Sequence, residues 1–136
     1  AGDVQHYGGR GLVDERLALD ANLPLSKALA FWERLDGNAD MGRAGDLLQL
    51  GPLLDIPVRY LSTGQKKRAA LARLINSNCP IWLLDEPLNG LDHHAQTVFE
   101  ALIDQHCRAG GIAIAASHQP IALPAPQAIA LADFAA

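Results

Sequence analysis

The apolar positions of the chain change their spacing near residue 60. Between about residues 15 and 60 they recur at the three- and four-residue intervals of an amphipathic helix. One such face has a proline near its start and a glycine after its end, which predicts a helix between Pro24 and Gly37. Its apolar residues are Leu25, Leu29, Trp32 and Leu35. A second, shorter helix is predicted over residues 40–50, where Gly51-Pro52 stops it.

From residue 61 onward, helical segments alternate with short runs that are apolar at every position. Strands buried on both faces have this pattern, which is typical of a parallel sheet covered by helices. The three runs are Ile81–Leu84, Ile112–Ala116 and Ala128–Leu131. A helix over Ala95–Ala109, ended by Gly110-Gly111, supplies the crossover that parallel strands need. The pattern therefore predicts an α/β fold.

Composition limits the kinds of protein this can be. The chain has 136 residues, of which 49% are hydrophobic, and this length suits one domain. Its net charge of −4 gives no basic excess for neutralising phosphates, so a dedicated nucleic-acid binder is disfavoured. The cysteines, Cys79 and Cys107, form no C-x-x-C pair, which argues against a zinc site or a disulfide framework. No apolar run approaches the roughly 20 residues of a membrane span.

A candidate anion site lies at the start of a predicted helix that runs from Thr63 to about Ile75. Ser62 can cap this helix, whose first N–H groups are otherwise unpaired and carry the positive end of the helix dipole. Gly64 leaves room for a ligand oxygen, and the Ser62 hydroxyl adds a donor, so the terminus can hold a phosphate. The alternative is an ordinary capped helix with a solvated basic face, and this motif alone favours that alternative.

Two adjacent acids, Asp85 and Glu86, follow the apolar run Ile81–Leu84. The carboxyl end of a parallel strand faces the crevice where open α/β sheets bind ligands. Neighbouring residues of a strand point to opposite sides, so the two carboxylates can do different work. One can hold Mg²⁺, directly or through water, and the other can orient or deprotonate a water molecule. The alternative is a strand that runs into a polar turn.

Two further segments are expected at the same edge of the sheet. Asn89-Gly90-Leu91-Asp92 is a tight loop that follows the acids, and Ser117-His118 follows the run Ile112–Ala116. Because parallel strands end on the same side of a sheet, His118 is expected beside Asp85 and Glu86. A lone histidine is usually a surface or core residue, but one in this position can contact a phosphate or a water molecule.

Together these segments resemble, in order and spacing, the signature, Walker B, D-loop and switch-histidine motifs of ABC-type ATPases. The four segments are Leu61–Gln65, Leu83–Pro87, Asn89–Asp92 and Ser117–His118. The resemblance implies a P-loop-NTPase-like parallel sheet with helices on both faces and an additional α-helical subdomain. It assigns residues 1–60 to that helical subdomain and its entry loop, and residues 61–136 to the C-terminal part of the ATPase core.

The same resemblance implies roles for individual residues and makes the protein an ATPase that uses ATP and Mg²⁺. Glu86 would be the catalytic base, His118 the switch histidine that senses the γ-phosphate, and Asp85 the aspartate linked to Mg²⁺ through water. Residues of the signature and the D-loop would contact ATP held by the opposite subunit. These ATP-binding residues are Leu61, Ser62, Thr63, Gly64, Gln65 and Asp92.

Stretches outside the motifs resemble the haem-exporter ATP-binding subunit of cytochrome c maturation. They include Asp55–Tyr60, Leu71–Leu74, His118–Pro120 and Leu131–Phe134. This resemblance implies a dimer of ATP-binding subunits that works with integral-membrane permease subunits and no nucleic acid, at the cytoplasmic face of the bacterial inner membrane. The sequence leaves open an ABC subunit for another substrate, an ABC protein acting on DNA or ribosomes, and a non-enzymatic remnant.

The chain departs from the family pattern at the phosphate loop, which needs Gly-Lys followed by Ser or Thr. None of the three lysines, Lys27, Lys66 and Lys67, follows a glycine, and the chain has no initiator methionine. The simplest expectation is a fragment that lacks the N-terminal strands and is inactive by itself. Such a truncated sheet would expose an edge and an apolar face, so we expect association or marginal stability. The family's loop glutamine is also missing from the matching stretch, Tyr7–Gly11.

Overall fold

A computed structural model describes residues 8–37, 42–123 and 125–130 of the chain. These residues form three strands and four α-helices, and two short 3-10 helices, Gly51–Leu53 and Val58–Tyr60, lie before the third α-helix. No helix in the described ranges is long and apolar enough to cross a bilayer. The elements are β1 (Arg10–Val13), α1 (Leu25–Asp36), α2 (Gly42–Leu47), α3 (Thr63–Asn76), β2 (Ile81–Asp85), α4 (His93–Arg108) and β3 (Ile112–Ala116).

The three strands form one parallel sheet in the order β1-β2-β3. The predicted strands at Ile81 and Ile112 and the crossover helix between them are thus confirmed, and so is the α/β class. In the register of β2 and β3, Asp85 lies opposite Ala116. The carboxyl ends of both strands therefore meet at one edge, which is where the candidate acids and His118 follow.

The two faces of the sheet differ in burial. On one face, Trp82 stacks on His106 of α4, and Gly11 of β1 lies so close to α3 that a Cβ there would overlap the Leu74 side chain. On the other face, Leu12, Ile112 and Ile114 are 56%, 55% and 58% exposed. Both α3 and α4 thus cover the same face, and the opposite face has the uncovered apolar character that the sequence predicts.

Helix α1 agrees with the prediction, and backbone groups satisfy both of its ends. Pro24 at the N-cap offers no side-chain cap, so the N–H groups of Leu25 and Ser26 donate to the carbonyls of Ile56 and Leu54 at 3.0 and 2.9 Å. Gly37 ends the helix in the left-handed conformation, with φ of 69°. Leu25 and Leu29 are buried, but Leu35 is 65% exposed, so the predicted apolar face stops a turn early.

Helix α2 is shorter than predicted, ending at Leu47 rather than Leu50. The chain leaves the helix because Gln49 adopts a φ of 54°, and the Leu50 N–H turns back to the Gly45 carbonyl at 2.8 Å. This reversal buries Leu48 and Leu50 almost completely. Gly51-Pro52 consequently begins a 3-10 helix rather than stopping an α-helix. The predicted start at Asp40 and Met41 lies outside the described residues.

Two local predictions were wrong. Arg10 and Gly11, expected in a loop, belong to β1, because their backbone finds a pairing partner in β2. Residues 128–130 of the third apolar run form no strand, and Ile129 is 72% exposed because no neighbouring strand pairs with it. Tyr7 and Leu131 lie outside the described residues. The predicted division of the chain into two parts at residue 60 stays a prediction. In the structure, β1 comes from the first part and pairs with β2 from the second.

Candidate functional site at the carboxyl edge of the sheet

Glu86 directly follows β2 and adopts a left-handed backbone conformation, with φ of 45°. Its N–H donates to the Ala116 carbonyl of β3 at 2.8 Å, which extends the sheet by one bond. Its carbonyl accepts from the Asn89 N–H and from the Lys67 ammonium, each at 3.2 Å. Bulky residues rarely adopt this conformation without support from their surroundings. The surrounding bonds therefore fix both sides of the Glu86 peptide.

The Glu86 carboxylate lies beside His118, as the sequence predicts from the parallel topology. Its two oxygens accept the His118 backbone N–H at 3.1 and 3.4 Å, and the His118 Nε2 atom lies 3.6 Å from Oε1. The Glu86 side chain is 17% exposed and the His118 ring 98% exposed. A largely enclosed carboxylate and an exposed imidazole thus lie side by side, and their roles in catalysis stay predictions.

Asp85 is the last residue of β2 and is exposed. Among the described residues, its carboxylate has no hydrogen-bond or ion-pair partner. No group of three or more His, Cys, Asp or Glu side chains in the described ranges could hold a metal ion alone. Mg²⁺ at nucleotide sites usually takes one or two carboxylates and completes its shell with phosphate oxygens and water. A single unpaired carboxylate fits that requirement.

The start of α3 carries a reciprocal cap. The Ser62 Oγ atom accepts from the Gln65 N–H at 3.2 Å, and the Ser62 N–H donates to Gln65 Oε1 at 2.8 Å. Sequence reasoning predicts the Ser62 cap but misses the contribution of Gln65. Ser62 and Thr63 are exposed. The Ser62 hydroxyl oxygen accepts a hydrogen bond in this cap. Its proton would still be able to donate to a ligand.

Gly64 lies against the loop after the acids. A Cβ at Gly64 would overlap the Gly90 carbonyl oxygen. Gly90 has a φ of 77°, and a Cβ there would be 3.5 Å from Thr63 Cγ2. From the sequence, we expect Gly64 to leave room for a ligand. In the structure, the absence of a side chain at Gly64 also lets α3 begin in direct contact with the loop Asn89–Asp92.

The remaining predicted site residues have structural partners of their own. The Asp92 carboxylate caps α4 by accepting the Ala95 N–H at 2.8 Å, and Leu61 is buried. Gln119 Nε2 donates to Asn89 Oδ1 at 3.1 Å, which joins the segment after β3 to the loop after β2. The structure thus brings all four predicted motifs to one edge of the sheet.

Lys67 is the residue at this edge that sequence reasoning misses. It is only 7% exposed, and its ammonium reaches the Glu86 carbonyl across from α3. A signal was present in the spacing, because Lys67 precedes the buried Leu71 and Leu74 by four and seven residues. A lysine on the apolar side of a helix needs a specific acceptor.

Comparisons with known proteins agree with this geometry. The family model described as "ABC transporter" matches residues 9–89, more than half of the chain. The cytochrome c biogenesis ATP-binding export protein CcmA of Novosphingobium aromaticivorans is 53% identical over 98% of this chain. Its counterparts in Sphingopyxis alaskensis and Zymomonas mobilis are 49% and 44% identical over 91% and 100%. The chain spans 69%, 65% and 62% of the lengths of these three relatives.

Solved structures share the fold at low identity. An ATP-binding subunit of an ABC transporter has a TM-score of 0.72 at 19% identity, covering 80% of this chain and 48% of its own. The archaeal ribosome recycling factor aABCE1, solved with stalk protein aP1, has a TM-score of 0.71 at 21% identity, covering 87% and 23%. With the family model across residues 9–89 and these relatives along nearly its whole length, the chain belongs to the ABC transporter ATP-binding family, among the cytochrome c biogenesis export proteins.

Proposed function

We propose that the protein is the ATP-hydrolysing subunit of an ABC transporter that exports haem for the maturation of c-type cytochromes. The observation that carries the proposal is the Glu86 carboxylate, held by the His118 N–H at the carboxyl end of β2 beside the unpaired Asp85. The names of the three relatives, which are cytochrome c biogenesis ATP-binding export proteins, support the export task. Haem is proposed as the cargo through the resemblance to the cytochrome c maturation exporters.

In the proposed reaction, the residues of the edge divide the work. Asp85 would hold Mg²⁺ through water, and the ion supplies charge neutralisation for the phosphates when bound. Glu86 has a carboxylate that is mostly enclosed yet open to one side, which suits a base that orients and deprotonates a water molecule. The exposed His118 ring, 3.6 Å from Glu86, is free to donate to a phosphate oxygen.

The start of α3 would serve a nucleotide held by a second subunit. Ser62 and Thr63 are exposed there, and the helix dipole favours a phosphate. We propose that two ATP-binding subunits close on ATP in this way and drive integral-membrane permease subunits at the cytoplasmic face of the inner membrane. The support is the exposure of this surface together with family membership.

The test substitutes each of the two acids separately, in a protein that joins this chain to the family's phosphate-loop segment. Glu86→Gln should keep ATP binding but lower turnover by about 10²–10⁴-fold, the usual cost of removing a general base. Asp85→Asn should instead weaken the binding of ATP that depends on Mg²⁺. Turnover and ATP affinity are measured in parallel, with Glu33→Gln on α1 as the control. Parental turnover in Glu86→Gln would contradict the proposal.

A further inference from the structure

Lys67 makes an unusual contact for a buried lysine. Its side chain crosses from α3 to the end of β2, where the ammonium donates to the Glu86 carbonyl oxygen at 3.2 Å. No carboxylate of the described residues forms an ion pair with it. A charged group with so little exposure is costly to bury unless its contact does something for the structure. The contact is therefore more specific than the snorkelling of a surface lysine.

The acceptor of this bond belongs to the most restricted peptide of the site. Glu86 has a φ of 45°, a conformation that L-residues with long side chains seldom adopt. Its carbonyl receives the Lys67 ammonium on one side and the Asn89 N–H on the other. Rotation of the Glu86 backbone toward an ordinary negative φ would swing this carbonyl away from both donors. The two bonds consequently favour the left-handed conformation.

The direction of the Glu86 side chain depends on the same conformation. The carboxylate reaches the His118 N–H only because the backbone turns at Glu86 instead of continuing the alternation of β2. Lys67 and Lys66 both line a cavity of about 320 Å³ next to Glu86, together with Asp14 and Glu15. Of the two lysines, Lys67 alone donates to Glu86 among the bonds of the described residues.

We propose that Lys67 is a positioning residue, which holds the Glu86 carbonyl and thereby aims the Glu86 carboxylate at the His118 side of the edge. Lys67 links the start of α3 to the acid at the end of β2, so a displacement of the helix would also displace the Glu86 carboxylate through this one side chain. The part it plays in ATP hydrolysis rests on the proposed function. The part it plays in setting the Glu86 backbone does not.

The test measures the Glu86 backbone directly in the full 136-residue chain by NMR. A positive φ brings the amide and Hα protons of the same residue close together, which gives a strong intraresidue nuclear Overhauser effect between them. Lys67→Met keeps most of the apolar length of the side chain but removes the ammonium donor, and it should abolish this signature and shift the His118 amide resonance. Lys66→Met is the matched control, which lines the same cavity and should leave both signals as in the parent.

A purely structural role for Lys67 gives a different result. Lys67→Met would then lower the unfolding midpoint while Glu86 keeps its positive-φ signature, and that outcome overturns the proposal. Lys67→Leu, which also lacks a donor, is the second variant if the methionine variant does not fold, and it should show the same loss. Because no nucleotide is present, failure of ATP hydrolysis in another experiment leaves this test intact, and the reverse also holds.

Discussion

Gly64 shows how one residue of the site serves packing as well as chemistry. Because a Cβ at Gly64 would overlap the Gly90 carbonyl, Gly64→Ala should lower the free energy of unfolding by about 1–3 kcal/mol, the usual cost of overpacking. Urea denaturation measures the change. The control is Gly45→Ala in α2, where nothing lies within 4 Å of the added methyl group.

The measured stability of Gly64→Ala decides how the effect of Gly64→Asp is interpreted. If Gly64→Ala proves as stable as the parent, the contact between α3 and the loop is looser than the structure shows. If it is destabilised as expected, then a loss of ATP-driven dimerisation in Gly64→Asp has two causes, which are a displaced helix and a repelled phosphate. Ser62 then provides the cleaner probe of the proposed ligand contact.

Ser62 forms one half of the reciprocal cap with Gln65. Ser62→Ala should cost about 0.5–2 kcal/mol of stability, because the Gln65 N–H loses its acceptor. Ser62→Thr keeps an acceptor, so its free energy of unfolding should stay within roughly a few tenths of a kcal/mol of the parent value. Thermal and urea unfolding measure both variants. Equal stability of Ser62→Ala and the parent would show that water replaces the cap at no cost.

At the scale of elements, α4 is locked onto the sheet by an aromatic stack. The rings of Trp82 and His106 lie 3.9 Å apart at an interplanar angle of 8°, and the buried His106 Nε2 atom has no hydrogen-bond partner in the described part of the chain. Gly111 begins the return to β3 directly against this ring, where a Cβ would overlap it. The helix, the strand and the connection between them therefore depend on one tight contact.

This contact predicts a specific effect of Gly111→Ala. The added methyl group should push His106 away from Trp82, change the near-ultraviolet circular dichroism and lower stability by about 1–3 kcal/mol. Gly51→Ala is the control, since no atom lies within 4 Å of its added Cβ. An unchanged spectrum in Gly111→Ala would mean that the stack survives and that the connection moves instead.

Elements with local signals could be predicted from the sequence, and those that depend on a distant partner could not. Helix α3 has a capping serine, and the first four residues of β2 are an apolar run between Pro80 and the acids. In contrast, β1 has four residues and forms only because β2, some 70 positions later, pairs with it. The left-handed Glu86 and its bond to Lys67 also escape prediction, because long-range contacts set both.

At the scale of the whole molecule, the uncovered sheet face predicts self-association of the 136-residue chain. Ile112 and Ile114 on β3 and Leu12 on β1 present exposed apolar side chains on the same face of the sheet, and faces of this kind are usually covered. Ile114→Lys should shift the chain toward monomer in sedimentation velocity. Phe31→Lys, at a site 57% exposed on α1, is the control and should not. Equal association of Ile114→Lys and the parent would assign the contact to another surface.

The chain by itself should also bind ATP weakly. Among the described residues, the phosphate donors proposed at the edge are the start of α3 and the exposed His118 ring, and an exposed helix terminus contributes only about 0.3–1 kcal/mol per charge. Titration of labelled ATP and Mg²⁺ into the purified chain measures this. Micromolar affinity would contradict the expectation, because it would require a phosphate-binding loop that the sequence does not reveal.

Because the backbone at Glu86 is left-handed, stability and ATP turnover should favour different residues at this position. A long side chain with positive φ costs roughly 1–3 kcal/mol, a penalty that glycine avoids. Glu86→Gly should therefore raise the unfolding midpoint while it deletes the proposed base. A library randomised at this codon and sorted only for thermal resistance should enrich glycine and asparagine. The same library, made in the protein that joins this chain to the family's phosphate-loop segment and sorted for ATP turnover, should return glutamate. The two populations would then diverge at this position.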